Sequence, residues 1–79
     1  MNLNQIHNVY FIGIGGIGMS ALARYFQFIG KNVAGYDKTE TQLTNELQEN
    51  GIQIHFEDDV NLIEKKKKNM ENTLVVITP

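Results

Sequence analysis

The apolar positions of this chain fall into short continuous or alternating runs, separated by stretches in which they recur at helical spacing. Asn8-Val9-Tyr10-Phe11-Ile12 is an unbroken apolar run that stops at glycine, which predicts a strand buried on both faces. From Gly18 onward Leu22, Tyr25, Phe26 and Ile29 recur at helical spacing, and Gly30 stands where a left-handed cap belongs. Tyr25, Phe26 and Phe28 are expected in the core, with Met19 packed beneath the preceding loop. Asn32-Val33-Ala34-Gly35-Tyr36 reads as a second strand with Asp37 at its carboxyl end. Thr39 and Gln42 form a candidate capping box for a second helix, whose inward face is Leu43 and Leu47 and whose end is Gly51. Ile52, Ile54 and Phe56 then alternate with Gln53 and His55, the pattern of a half-exposed third strand. Asp58 or Asp59 can cap a short third helix with Val60 and Ile63 inward, closed by Lys65-Lys66-Lys67-Lys68. After a loop at 69–72, Thr73-Leu74-Val75-Val76-Ile77-Thr78 is a fourth strand, and Pro79 follows it.

Strands alternating with helices predict an α/β fold with a parallel sheet and helices on both faces. A doubly wound arrangement places four strands in the order 3-2-1-4, with the ligand crevice at the carboxyl ends of strands 1 and 4. That order leaves Thr73–Thr78 outermost, although it is apolar enough for a central position. The expected consequence is pairing with a further strand or self-association between chains.

The chemistry is concentrated at the first strand-to-helix turn, Gly13-Ile14-Gly15-Gly16-Ile17-Gly18. This Gly-x-Gly-x-x-Gly arrangement is the turn that cradles a diphosphate. Gly13 is read as permitting the tight turn, Gly15 as letting backbone N–H groups approach phosphate, and Gly18 as letting helix and strand pack closely. The following helix start, with Ile17, Met19 and Ser20, adds unpaired N–H groups and a partial positive charge. Ser20 can supplement those donors, or its hydroxyl can bond its own helix backbone. Asp37 lies 19 positions beyond Gly18, where an acid accepts hydrogen bonds from ribose hydroxyls; otherwise it caps the segment that follows. Thr78 borders the same crevice. Lys38 is either a contact to a base or phosphate or an idle surface cation.

Composition narrows the classes. Seventy-nine residues form one small domain, and 42% hydrophobic with 20% charged residues is ordinary for a globular chain. There is no cysteine, hence no disulfide framework and no thiolate chemistry. Residues 1–8 carry neither the basic nor the apolar region of a signal peptide, and no apolar stretch is long enough to span a bilayer. The lysine run holds four of the seven cations, leaving three against nine acids, which argues against a nucleic-acid-binding face. His7 and His55 have no partner at metal-ligand spacing, and no metal site is expected. No Gly-x-x-x-x-Gly-Lys-Ser/Thr segment and no nucleophile–base pair occurs, so the chain reads as a binder rather than a catalyst.

The segment Val9 to Ala23, with its paired glycines followed by Ile17-Gly18-Met19-Ser20, resembles the start of the Mur ligases of peptidoglycan synthesis. Gly35-Tyr36-Asp37, Gly51-Ile52 and Val75-Val76-Ile77-Thr78-Pro79 are similar to that family too, so the likeness runs from about Asn8 to Pro79. It implies a Rossmann-like first domain, residues 1–79 being a fragment of a multidomain enzyme of the bacterial cytoplasm. It further implies that the glycine loop and Ser20 hold the diphosphate of UDP-N-acetylmuramate, that Asp37 meets the uridine, and that Thr78 borders the site. ATP, magnesium and the P-loop belong to the missing central and C-terminal domains. There an acyl phosphate forms on the lactyl carboxyl and is attacked by the amine of L-alanine. Many relatives carry a histidine just after the third strand that reaches the uracil; here Glu57-Asp58-Asp59 stands there, and no uracil contact is transferred to His55. The βαβ signature alone leaves open a nicotinamide-binding dehydrogenase domain, a nucleotide-sensing regulatory domain or an interaction module without a ligand.

Overall fold

The computed structural model describes residues 3–57 and 72–77. A short 3-10 turn, Leu3–Gln5, precedes β1 (Asn8–Ile12), α1 (Ile17–Phe28), β2 (Asn32–Tyr36), α2 (Gln42–Glu49), β3 (Gln53–His55) and β4 (Thr73–Ile77). All strand pairs are parallel and the order is β3-β2-β1-β4, the arrangement expected of a doubly wound sheet. The expected third helix, its Asp58 or Asp59 cap, the lysine run, Thr78 and Pro79 lie outside the described residues.

Alternation of side chains across each strand divides the sheet into two faces. Val9, Phe11, Val33, Leu74, Val76 and Ile54 join Met19, Ala23 and Phe26 of α1 and Leu47 of α2 in the hydrophobic core. Tyr10 points the other way and is nevertheless buried, so β1 is covered on both sides as a central parallel strand should be.

Both helices stop as their glycines suggested. Gly30 has φ +91°, and beyond it Lys31 N–H returns to Phe26 C=O at 3.0 Å while Gly30 N–H bonds Gln27 C=O. These two bonds satisfy carbonyls that the last helical turn leaves without partners, and a left-handed residue is needed to aim them. The end of α2 repeats the pattern through Ile52 N–H to Leu47 C=O at 3.1 Å and Gly51 N–H to Gln48 C=O at 3.0 Å.

The face of α1 differs from the expectation. Of Leu22, Tyr25, Phe26 and Ile29, only Phe26 is buried; Met19, Ser20 and Ala23 complete the inward stripe. Tyr25 is 53% exposed and Phe28 87% exposed, so neither is a core residue. The helix carries two overlapping apolar stripes. The one with small Ala23 and slender Met19 lies against the sheet, while Phe26 meets Phe11 with ring centroids 6.2 Å apart. The polar flank of α1 meets α2 through Arg24 Nη2 and Glu46 Oε2, 3.4 Å apart.

The start of α2 also shifts. Thr41, not Thr39, is the N-cap, and its hydroxyl accepts from Thr44 N–H at 3.2 Å. Thr44 answers by accepting from Thr41 N–H at 2.8 Å. Thr39 belongs instead to a turn closed by Asp37. The carboxylate Oδ1 of Asp37 accepts from Thr39 N–H at 2.9 Å.

Candidate functional site

The loop 13–16 leaves the carboxyl end of β1 and is held from below by the end of β2. Gly13 has φ +91°, a conformation that turns the chain out of the strand and that a side chain would resist. Tyr36 C=O accepts from both Gly13 N–H at 2.8 Å and Ile14 N–H at 3.1 Å, and Ile14 is fully buried. Gly16 N–H closes a turn onto Gly13 C=O at 3.2 Å. Gly15 N–H donates to Asp37 Oδ2 at 2.7 Å. Gly15 is glycine for reasons of space: a Cβ there would stand 2.8 Å from Asp37 Oδ2 and 3.0 Å from the Thr44 methyl.

These bonds decide which amides face outward. Those of 13–16 are all used within the protein, and Ser20 N–H takes Gly16 C=O at 2.8 Å as α1 begins. No side chain caps α1 at Gly16. Among the described residues, the N–H groups of Ile17, Gly18 and Met19 are the loop donors without an intramolecular acceptor. A Cβ on Gly18 would meet nothing within 4 Å, so the space beside those donors is open. They stand at the positive end of a helix of twelve residues, where an anion is favoured.

The residues singled out in the sequence thus divide. Gly13, Gly15 and Gly16 shape the loop; Ile17, Gly18 and Met19 present amides; Asp37 touches the loop itself. Gly18 does not bring helix and strand together as its place in the motif suggested. Gly35 does, because a Cβ there would lie 2.7 Å from Ile14 Cδ1 and 2.9 Å from Phe11 O. A glycine inside a strand pattern is the available signal of such a close approach. Ser20 takes the local use of its hydroxyl, donating to Ile17 C=O at 2.9 Å from a buried position. Met19 is buried, as expected. Lys38 is exposed.

The third strand positions Asp37 from the other side, since Asp37 N–H donates to His55 C=O at 3.2 Å. The His55 ring lies on the sheet face opposite α1 and α2, stacked within 5° of parallel on Tyr10 at 5.9 Å and tilted against Tyr36 at 5.3 Å. The Tyr10 hydroxyl and His55 Nε2 are hydrogen-bond partners. Burial, and then the neighbouring Tyr36 phenol, raise the pKa of Tyr10 above the usual tyrosine value. His55 is therefore a strand-face histidine in an aromatic cluster. Sequence reading missed that cluster, which three separate strands assemble.

No group of three His, Cys, Asp or Glu side chains among the described residues is placed to hold a metal ion. A cleft of about 360 Å³, bordered by Asn8, Lys31, Asn32 and Gln53, sits at the amino ends of the strands, away from the outward amides. Among the described residues no helix is long and apolar enough to cross a membrane.

Comparison with known proteins adds a family. The model of the Mur ligase family, catalytic domain, matches residues 8–79. The UDP-N-acetylmuramate–L-alanine ligase of Flavobacterium psychrophilum is 76% identical over 79 residues, all of this chain and 17% of the relative. The enzyme of the same name from Flavobacterium johnsoniae is 71% identical over the same span. That from Christiangramia forsetii is 56% identical over 99% of the chain and 18% of its own length. The chain thus spans about a sixth of the length of the curated relatives it matches.

Proposed function

The chain belongs to the Mur ligase family, and from that membership we propose that it holds the uridine diphosphate end of UDP-N-acetylmuramate for a larger ATP-dependent enzyme. That enzyme joins L-alanine to the sugar's lactyl carboxyl, through an acyl phosphate, in bacterial peptidoglycan synthesis in the cytoplasm. The observation that carries this reading is the set of outward amides at Ile17, Gly18 and Met19, beside open space at the carboxyl end of β1. A diphosphate oxygen there accepts from backbone donors at a helix start, and no charged side chain is needed to neutralise it.

The part played by these residues is binding and orientation. Asp37 lies at the loop's rim with each carboxylate oxygen accepting one backbone bond, and each oxygen keeps a second lone pair for a ribose hydroxyl. ATP and magnesium are handled by the remainder of the longer protein, since this chain has no P-loop. When bound there, ATP supplies the phosphoryl group that activates the carboxyl. Holding the substrate's far end fixes where that carboxyl sits.

The test is an NMR titration of the labelled chain with UDP-N-acetylmuramate, UDP and NADH in parallel. The uridine ligands are expected to move the amides of Ile17, Gly18, Met19 and Asp37, and NADH to move them little. A hydrogen bond to a charged acceptor is worth about 1.5–3 kcal/mol, so Asp37→Ala should weaken the uridine ligands roughly 10- to 150-fold. Tighter binding of NADH would overturn the proposed preference for a uridine diphosphate.

A further inference from the structure

The short bond between Gly15 N–H and Asp37 Oδ2 puts a carboxylate where the glycine motif leads one to expect a phosphate oxygen. We infer that Asp37 is a built-in anion of the glycine loop. It takes the Gly15 amide, confines phosphate to the amides of Ile17, Gly18 and Met19, and by its charge selects diphosphates that bring a hydroxyl donor. The inference deepens the diphosphate reading given above and rests on it.

Three observations carry the inference. First, the carboxylate is seated rather than passing: Oδ2 accepts from Gly15 N–H at 2.7 Å and Oδ1 from Thr39 N–H at 2.9 Å. The backbone of Asp37 is meanwhile tied to β3 through His55 C=O. Second, the fit is close on the loop side, since even a methyl group on Gly15 would stand 2.8 Å from Oδ2. Third, the neighbouring amides of 13, 14 and 16 already have protein acceptors. The loop therefore has no spare donor short of Ile17.

The consequence is a filter. A half-buried carboxylate adjoining a phosphate site repels every anion that approaches, because like charges at such separations interact appreciably even near water. A ligand that also offers hydroxyl protons recovers that loss by donating to the remaining lone pairs of Asp37. Bare phosphate and pyrophosphate bring no alcohol hydroxyl, and once fully ionised they have no proton to donate. Asp37 is then a positioning residue for the loop and a selectivity residue for the nucleoside diphosphate class, through one charge.

The test uses inorganic pyrophosphate, which carries no nucleoside, so its result does not depend on which nucleotide is the native ligand. The full 79-residue chain, labelled with nitrogen-15, is titrated as wild type and as Asp37→Asn, which keeps the side-chain shape and sheds the charge. In the wild type, pyrophosphate is expected to shift Ile17, Gly18 and Met19 and to leave the Gly15 amide unmoved. In Asp37→Asn, whose amide oxygen can still accept from Gly15 N–H, pyrophosphate should bind about five-fold tighter, the size expected for removing one nearby like charge. UDP-N-acetylmuramate should bind the variant more weakly. A wild-type Gly15 amide that moves as far as Gly18 overturns the inference, even if the variant fails to fold. So does a folded variant that binds pyrophosphate no tighter.

Discussion

Gly35 lies so close beneath Ile14 that a methyl group on its Cα would stand 2.7 Å from Ile14 Cδ1. Ile14 sits between the glycine that turns the chain and the glycine that bonds Asp37, so packing on β2 sets the height of the loop. Gly35→Ala must push Ile14 or the β1 backbone aside, and Phe11 O at 2.9 Å gives no room. Overpacking of this kind costs about 1–3 kcal/mol. Urea denaturation should show that loss, and uridine ligands should bind more weakly because the loop is lifted. The control is Gly18→Ala, whose Cβ meets open space. It should change stability by no more than about 1 kcal/mol while still lowering affinity, by filling the space beside the outward amides. Equal destabilisation by both substitutions would contradict this assignment of the two glycines.

The start of α2 separates two threonines that look alike in sequence. Thr41→Ala removes the hydroxyl that accepts from Thr44 N–H and should cost about 1 kcal/mol. Thr39→Ala leaves its own backbone bond to Asp37 intact and should stay within about 0.5 kcal/mol of wild type. Thermal unfolding of the two variants side by side decides it, and the reverse ranking would restore the cap to Thr39.

Alkaline stability should report the buried Tyr10 phenol. Its raised pKa means that the folded state holds the proton more tightly than the unfolded chain does. The resulting stabilisation is complete below the ordinary tyrosine value near pH 10 and is lost as the pH rises through the raised value. Midpoints of urea unfolding should therefore hold up to about pH 10 and fall above it, less steeply in Tyr10→Phe. An identical slope in the variant would place the alkaline sensitivity elsewhere.

An apolar surface is left uncovered by the described residues. Ile17, Tyr25 and Phe28 are exposed along α1, and Ile77 is 58% exposed on β4, the strand at the end of the sheet order. An open parallel edge beside exposed apolar groups favours association between chains. Light scattering should show mass rising with concentration, reduced by Ile77→Lys. A monomer at high concentration would refute it.

What could be read without a structure was whatever depends on neighbours along the chain. The apolar run Val9-Tyr10-Phe11, the turn at Gly13 and the caps at Gly30 and Gly51 are each determined by a few consecutive residues, so strand order and loop position followed from their succession. Tertiary contact decided the rest. α1 carries two apolar stripes, and only packing on the sheet, which buries Met19, Ala23 and Phe26, selected one. Gly18 and Gly35 are both plausible packing glycines, and only the path of Ile14 shows which has a neighbour. Asp37 was legible as an acid at the end of a strand. That its carboxylate turns onto Gly15, 22 residues away, depends on β1, β2 and β3 lying side by side, a proximity that no local pattern encodes.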